Sequence, residues 1–124
     1  MKIIIAGSRD FTNYTLLEKV VDKLIIGLKE QSTIISGTAR GADRLGERYA
    51  KENNLKLLRF PADWHSYGKQ AGFIRNTKMA KEGDVLIAFW NGSSAGTKHM
   101  IHIAKQMELT VHIIEFNSNK LEDK

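Results

Sequence analysis

The 124-residue chain contains no cysteine, which excludes disulfides, thiolate catalysis, iron–sulfur ligation and every zinc site built on a thiolate. It has a single proline, Pro61, and no long polar or low-complexity tract, so nothing in it reads as a linker or a disordered arm. No apolar run approaches the ~20 residues of a membrane span. Met1 to Ala6 opens directly on a strand-like apolar run, without the charged, apolar and small-residue regions of a signal peptide. These absences predict a cytoplasmic globular protein with no membrane partner. The Gly-Lys-Ser/Thr end of a P-loop and a complete Gly-x-Gly-x-x-Gly fingerprint are also missing. Nucleoside-triphosphate hydrolysis and hydride transfer are thereby disfavoured, and the sequence asks for no cofactor.

What is present is an excess of positive charge. Nineteen Lys and Arg against fourteen Asp and Glu give +5, a balance that favours nucleotides, nucleic acid or an anionic surface as partner. Most lysines fall on expected helix faces and ends, whereas Arg9, Arg40 and Arg44 sit beside glycine-rich turns. Arginine suits bidentate contacts to phosphate.

The apolar pattern alternates between strand and helix. Lys2–Ala6 is a β-branched run ending at Gly7, as in a strand buried on both faces. From Tyr14 to Lys29 apolar residues recur at helical spacing, with Thr12 or Asn13 available as the N-cap. Thr33–Ser36 reads as a second strand, followed by a helix to about Asn53; Leu55–Phe60 reads as a third strand, closed by Pro61. Ala62–Gly68 is a turn-rich connection, then a helix runs from about Lys69 to Lys81. Asp84–Phe89 is the fourth strand, a helix extends to about Met107, and Thr110–Phe116 is the fifth strand. Residues 1–116 are therefore expected to form one α/β domain, an open parallel sheet ordered 3-2-1-4-5 with helices on both faces. The polar stretch 117–124 is expected to fray.

In such a sheet, ligands bind beyond the carboxyl ends of the strands where the connections diverge, between strands one and four. Three segments meet there. Gly7-Ser8-Arg9-Asp10 follows strand one, Gly37-Thr38-Ala39-Arg40-Gly41-Ala42-Asp43 follows strand two, and Asn91-Gly92-Ser93-Ser94-Ala95-Gly96-Thr97 follows strand four. The last places small residues at a helix N-terminus, where free N–H groups and the helix dipole favour phosphate. A tight turn explains any one of them alone; their convergence with arginines predicts an anion cradle. Gly7, Ser8, Arg9, Gly37, Thr38, Arg40, Gly92, Ser93, Ser94, Gly96 and Thr97 are its candidate residues.

These three segments, together with Trp64 to Gly68, Ala71-Gly72, Arg75-Asn76 and Met79, resemble the YspA-type, YpsA-related branch of the SLOG superfamily over roughly residues 1–116. The resemblance implies a Rossmann-like fold and a nucleotide or nucleotide-derived ligand. Proteins of that superfamily include lonely-guy phosphoribohydrolases, DNA-processing proteins that bind single strands, and sensor domains of antiviral systems that recognise ADP-ribose-derived signals. In the lonely-guy enzymes the active site uses an arginine in an Arg-Lys-x-x-Met segment and a glutamate after the glycine loop. Here Arg75 and Met79 match, Asn76 replaces the lysine, and Lys98-His99-Met100-Ile101 supplies no carboxylate where the glutamate would stand.

The resemblance thus adds Arg75 and Asn76 as ligand residues and implies binding without turnover, with sequestration or sensing of an antiviral nucleotide signal as its concrete form. Trp64, with His65 and Tyr67, either covers a base or packs its own loop. Two rivals stand beside this reading. A phosphoribohydrolase would rely on Arg75 and take a carboxylate from Asp10, Asp43 or Asp63, although Asp43 is better suited to a structural role, favouring the N-terminus of its helix or holding Arg40. A single-strand binder would use the net charge and the tryptophans. His99 and His102 lack a third partner for a metal, and His99 is the better phosphate neighbour. Met79, Met100 and Met107 belong to a core or a subunit contact. Apolar helix faces around Ile74, Met79, Met100 and Ile103 suggest a homo-oligomer.

Overall fold

The computed structural model describes residues 1–117, and the expected tail lies, after Asn117, outside the described residues. The elements are β1 (Lys2–Gly7), α1 (Tyr14–Leu24), β2 (Thr33–Ser36), α2 (Ala42–Glu52), β3 (Lys56–Arg59), α3 (Trp64–Tyr67), α4 (Ala71–Glu82), β4 (Val85–Trp90), α5 (Ala95–Gln106) and β5 (Thr110–Glu115). All strand pairs are parallel, in the order β3-β2-β1-β4-β5. The α/β Rossmann-like architecture and strand order expected above are those observed.

Alternation along the central strands explains their unbroken apolar character. Ile3, Ile5, Ile34, Ile87 and Phe89 point to one face, where Leu17 and Val21 of α1 and Tyr49 and Ala50 of α2 complete a core. Ile4, Ala6, Ile35, Leu86 and Ala88 point to the other, against Met79 and Ala80 of α4 and Met100 and Ala104 of α5. Helix α2 lies so close on β1 that a Cβ at Gly46 would fall 2.8 Å from the Cβ of Ile5. Edge strands β3 and β5 are the more exposed, with Leu58 and Ile113 open to solvent.

Several boundaries differ from the sequence reading. Helix α1 stops at Leu24, well short of Lys29: Gly27 turns to φ +80° and a 3₁₀ turn occupies 29–31. The apolar period carries on through Ile25 and Leu28, of which Ile25 is buried while Leu28, like Ile26 between them, faces solvent. Strand β3 is shorter than Leu55–Phe60. The connection 62–68 contains one helical turn, α3, because the Asp63 carboxylate accepts from Ser66 N at 3.1 Å and caps it. A 3₁₀ turn over 68–70 then precedes α4. Met79 and Met100, each 1% exposed, are core residues of this chain, out of reach of another subunit.

Candidate functional site

Beyond the carboxyl ends of β1 and β4 the chain is held together by Ser8. Its N–H donates to Phe89 O at 2.9 Å, and its carbonyl accepts from Phe11 N at 3.2 Å and Ala42 N at 3.3 Å. Its hydroxyl accepts from Asn91 N at 3.0 Å. The loops after β1 and β4 and the start of α2 are thus joined through one residue that is 1% exposed. Glycines make the approach possible: a Cβ at Gly7 would strike Phe89 O and lie 2.8 Å from Ala42 Cβ. At Gly41, with φ +84°, a Cβ would strike Ser8 O and sit 2.6 Å from Arg9 O.

These loops surround a cleft of about 460 Å³ between the strand ends and α4. Of the residues read from sequence, Gly7, Arg9, Trp64, Arg75 and Asn76 line it, together with Ser94, Gly96 and Thr97 at the start of α5. A neighbouring cleft of about 430 Å³ takes in Gly37, Thr38 and Arg40. Ser8, Gly92 and Ser93 line neither: Ser8 is the strut described above, while Gly92 and Ser93 belong to a turn closed by Asn91, whose Oδ1 accepts from Ser93 N at 2.8 Å and Ser94 N at 2.9 Å. Ser94 caps α5, accepting from Thr97 N at 3.3 Å.

Lys69 and Phe73 also line the larger cleft and were not singled out in the sequence. Nothing in the helical pattern of that segment marks either as different from a surface residue. Phe73 stacks on His99 with ring centroids 4.3 Å apart. His99 lines neither cleft, and burial, then the proximity of His102, lowers its pKa. Among the described residues no group of three or more His, Asp or Glu is placed to hold a metal ion.

Two residues distant in sequence, Asp43 and Arg75, meet over Gly37. A Cβ there would fall 2.6 Å from Arg75 Nη1 and 2.8 Å from Asp43 Oδ2. Arg75 Nη1 donates to Gly37 O, and Nε donates to Asn76 Oδ1 at 2.9 Å. Asn76 Nδ2 in turn donates to Gly96 O at 3.2 Å, so α4 ties the loop after β2 to the start of α5. Asp43 accepts from Ala39 N at 3.1 Å, a local role at the start of α2. Burial pushes its pKa up to about 6, against the opposing pull of Arg75 and of backbone donors. Arg75 is lowered by its own burial; Asp43 acts against that and the charge of Arg9 adds to it. The four ion pairs among the described residues, Lys2–Glu82, Lys29–Asp22, Arg48–Glu52 and Arg59–Glu47, include none of the cleft's arginines.

The profile of the YspA, cpYpsA-related SLOG family matches residues 1–67, just over half of the chain. The gene 61 protein of Mycobacterium phage D29 is 31% identical over 116 residues, which cover 89% of this chain and 93% of that one. The chain belongs to this SLOG family. In structure it resembles DNA processing protein A of Streptococcus pneumoniae, with a TM-score of 0.74 at 19% identity over 98% of this chain and 56% of that one. It also resembles DNA processing protein A of Helicobacter pylori, a protein described for its single-stranded DNA binding mode, with a TM-score of 0.67 at 19% identity over 99% and 72%. At that identity the likeness is one of fold, and the SLOG chain spans little more than half the length of the S. pneumoniae protein. No helix among the described residues is long and apolar enough to cross a membrane.

The first two turns of α5 in this SLOG chain, Ala-Gly-Thr-Lys-His-Met-Ile, contain no acid. Of the three carboxylates considered from sequence, Asp10 and Asp43 line the larger cleft. Asp63 lies outside it, along a separate groove beside Tyr67 and Ile74.

Proposed function

We propose that the larger cleft binds, without turning it over, a phosphate-bearing nucleotide derivative of the ADP-ribose or adenine-nucleotide kind. The observation that carries this is the placing of Arg9 and Arg75 on one cleft, close enough for the charge of one to disfavour that of the other. Two guanidinium groups on one cleft offer planar, bidentate donors to the oxygens of a phosphate. Arg75 is half-buried and already oriented by Gly37 and Asn76, so little side-chain entropy is lost when it engages a ligand. Trp64, half exposed on the cleft, offers a face for a base. Lys69 adds a third cation. The cleft's volume suits a small molecule of this class.

Turnover is disfavoured by the same geometry. Cleavage of a base from ribose needs a carboxylate free to face developing positive charge. Asp43 is instead committed to Ala39 N–H and faces Arg75, which already counters its charge, and Asp10, the other carboxylate on the cleft, accepts from Asn91 Nδ2 at 3.2 Å. A protein that holds such a ligand intact would sequester or sense a nucleotide signal.

Titration calorimetry with AMP, ADP-ribose, cyclic ADP-ribose isomers and cyclic dinucleotides tests the proposal, with each ligand recovered and weighed by mass spectrometry. Binding with intact recovery is expected, and Arg75→Ala should weaken it roughly 100-fold, the scale on which a hydrogen-bonded charge partner is lost. Release of free base would overturn the non-catalytic reading. Failure of every nucleotide to bind at millimolar concentration would overturn the nucleotide reading itself.

One feature favours single-stranded nucleic acid as a second reading. Trp64, Tyr67 and Phe73 are 51%, 50% and 46% exposed along α3 and the start of α4, with Lys69 among them. Exposed aromatics with a nearby cation are how bases are stacked without sequence preference. Affinity for oligonucleotides that rises with length, falls steeply with salt and is reduced in Trp64→Ala would favour it.

A further inference from the structure

A buried carboxylate faces Arg75 across Gly37. Two of the three guanidinium nitrogens are used within the chain, Nη1 on Gly37 O and Nε on Asn76 Oδ1, which leaves Nη2 as the one without a hydrogen bond. The point where a Cβ on Gly37 would stand is 2.6 Å from Arg75 Nη1 and 2.8 Å from Asp43 Oδ2, yet the two side chains form none of the ion pairs among the described residues. Asp43 is 5% exposed and lines the larger cleft beside Arg9 and Arg75. From this placement we infer that the cleft couples anion binding to proton uptake: an anion docking on Arg9 and Arg75 draws a proton from solvent onto Asp43, so the site fills more readily in mildly acidic than in neutral solution. The inference rests on the nucleotide reading above and names how that same site is regulated.

An anion and an ionised Asp43 compete for one guanidinium, and because the carboxylate is buried their repulsion is poorly screened. Protonation removes that repulsion while one oxygen still accepts from Ala39 N–H. By linkage, the factor by which the proton favours the anion is the factor by which the anion favours the proton. The empty cleft is already poised for this exchange. Burial raises the pKa of Asp43, Arg75 and the N–H groups of Ala39 and Gly7 lower it, the carboxylate of Glu47 raises it, and the balance stands at about 6. Glu47 itself is held by Ser36 Oγ at 2.7 Å and by Arg59 Nε at 3.2 Å. Arg9 and Lys69 add positive charge to the cleft and Asp10 negative. His99 reaches Arg75 only through Asn76, whose Nδ2 lies 3.2 Å from its Nδ1.

Calorimetry with ADP-ribose tests this, because its pyrophosphate keeps a constant charge between pH 5 and 8 whereas the phosphate monoester of AMP titrates in that range. The wild-type chain should bind at least about fivefold more tightly at pH 5 than at pH 7.5. At pH 6.5 the heat of binding should differ between Pipes and imidazole buffers by an amount that reports uptake of about half a proton. In Asp43→Asn the affinity should change less than about twofold over the same range, and the uptake should vanish. Both should persist in His99→Gln, so the assignment to Asp43 is decided even where Asp43→Asn does not fold. Affinity independent of pH with no proton taken up, or a pH dependence that survives in Asp43→Asn or disappears in His99→Gln, would overturn the coupling through Asp43 while leaving nucleotide binding standing. If no nucleotide binds at either pH, both proposals fall together.

Discussion

The two ends of the sheet are built from the same five strands and are finished in opposite ways. Where the strands begin, the backbone closes on itself. Lys2 N donates to Asp84 Oδ2 at 2.8 Å and Asp84 N returns the bond to Lys2 O at 2.8 Å. Thr33 N donates to Met1 O, Thr110 N to Asp84 O, and the Lys2 ammonium pairs with Glu82 at 3.0 Å. Where the strands end, the backbone is just as well braced through Ser8, but the side chains face open space: Arg9, Arg75 and Lys69 line a cleft beside Asp10 and Asp43, and the three cations enter none of the ion pairs among the described residues. One end uses its polar groups to close the sheet, while the other gathers cations in excess of carboxylates around a cleft. A closed edge and a candidate site can therefore be told apart within a single small sheet.

The largest expected effect comes from filling the space on which the second end depends. Gly41→Val would drive a Cβ into the carbonyls of Ser8 and Arg9 at a φ of +84°. A loss of about 3 kcal/mol or more in denaturant unfolding is expected, with nucleotide binding lost before global unfolding. An intermediate effect concerns Asp43. Its pKa rises from an ordinary value of 3.8 to about 6 on folding, so between those values the folded chain binds the proton more tightly than the unfolded one. Its contribution to stability thus falls as pH rises from about 4 through 6 and stays low above, by about 3 kcal/mol in all for a shift of this size. Asp43→Asn should flatten that part of the profile, measured by unfolding at pH 4.5, 6 and 7.5; parallel wild-type and variant profiles would refute the assignment.

The smallest effect is at the first end. Glu82→Ala removes a pair whose partners are each more than 40% exposed, and it should change stability by less than about 1 kcal/mol and leave nucleotide affinity untouched. A marked loss of binding in Glu82→Ala would erase the contrast between the two ends.

The fold was legible in the sequence where burial on both faces leaves nothing but apolar residues, as in Ile3–Ala6 and Leu86–Phe89. It was least legible where local pattern and tertiary context part. The stripe past Leu24 keeps helical spacing through Ile25 and Leu28, but the helix stops at Leu24, Gly27 turns to φ +80°, and Leu28 faces solvent. The loop around Trp64 reads as turns until the Asp63 cap is seen. The site divides in the same way. Glycines and arginines after β1 and β2 announce themselves by type and position. That Ser8 is a strut, that Gly92 and Ser93 line neither cleft, and that Lys69 and Phe73 line the larger one depend on how segments far apart in sequence come together. No pattern local to those segments records such contacts.

The placement of β1 has a consequence for how the protein comes into being. It is paired on one side with β2, within the first 36 residues, but on the other with β4, which begins at Val85. A growing chain can bring β1, β2 and their helices together early, yet one edge of β1 stays open until about two-thirds of the molecule has been made. Closing so long a loop is slow compared with the local steps before it. Ser8 meets Phe89 and Asn91 only at that closure. A chain cut short before β4 would therefore not be a weak binder. It would be a half-sheet with a bare hydrophobic edge, prone to pair with its own copies.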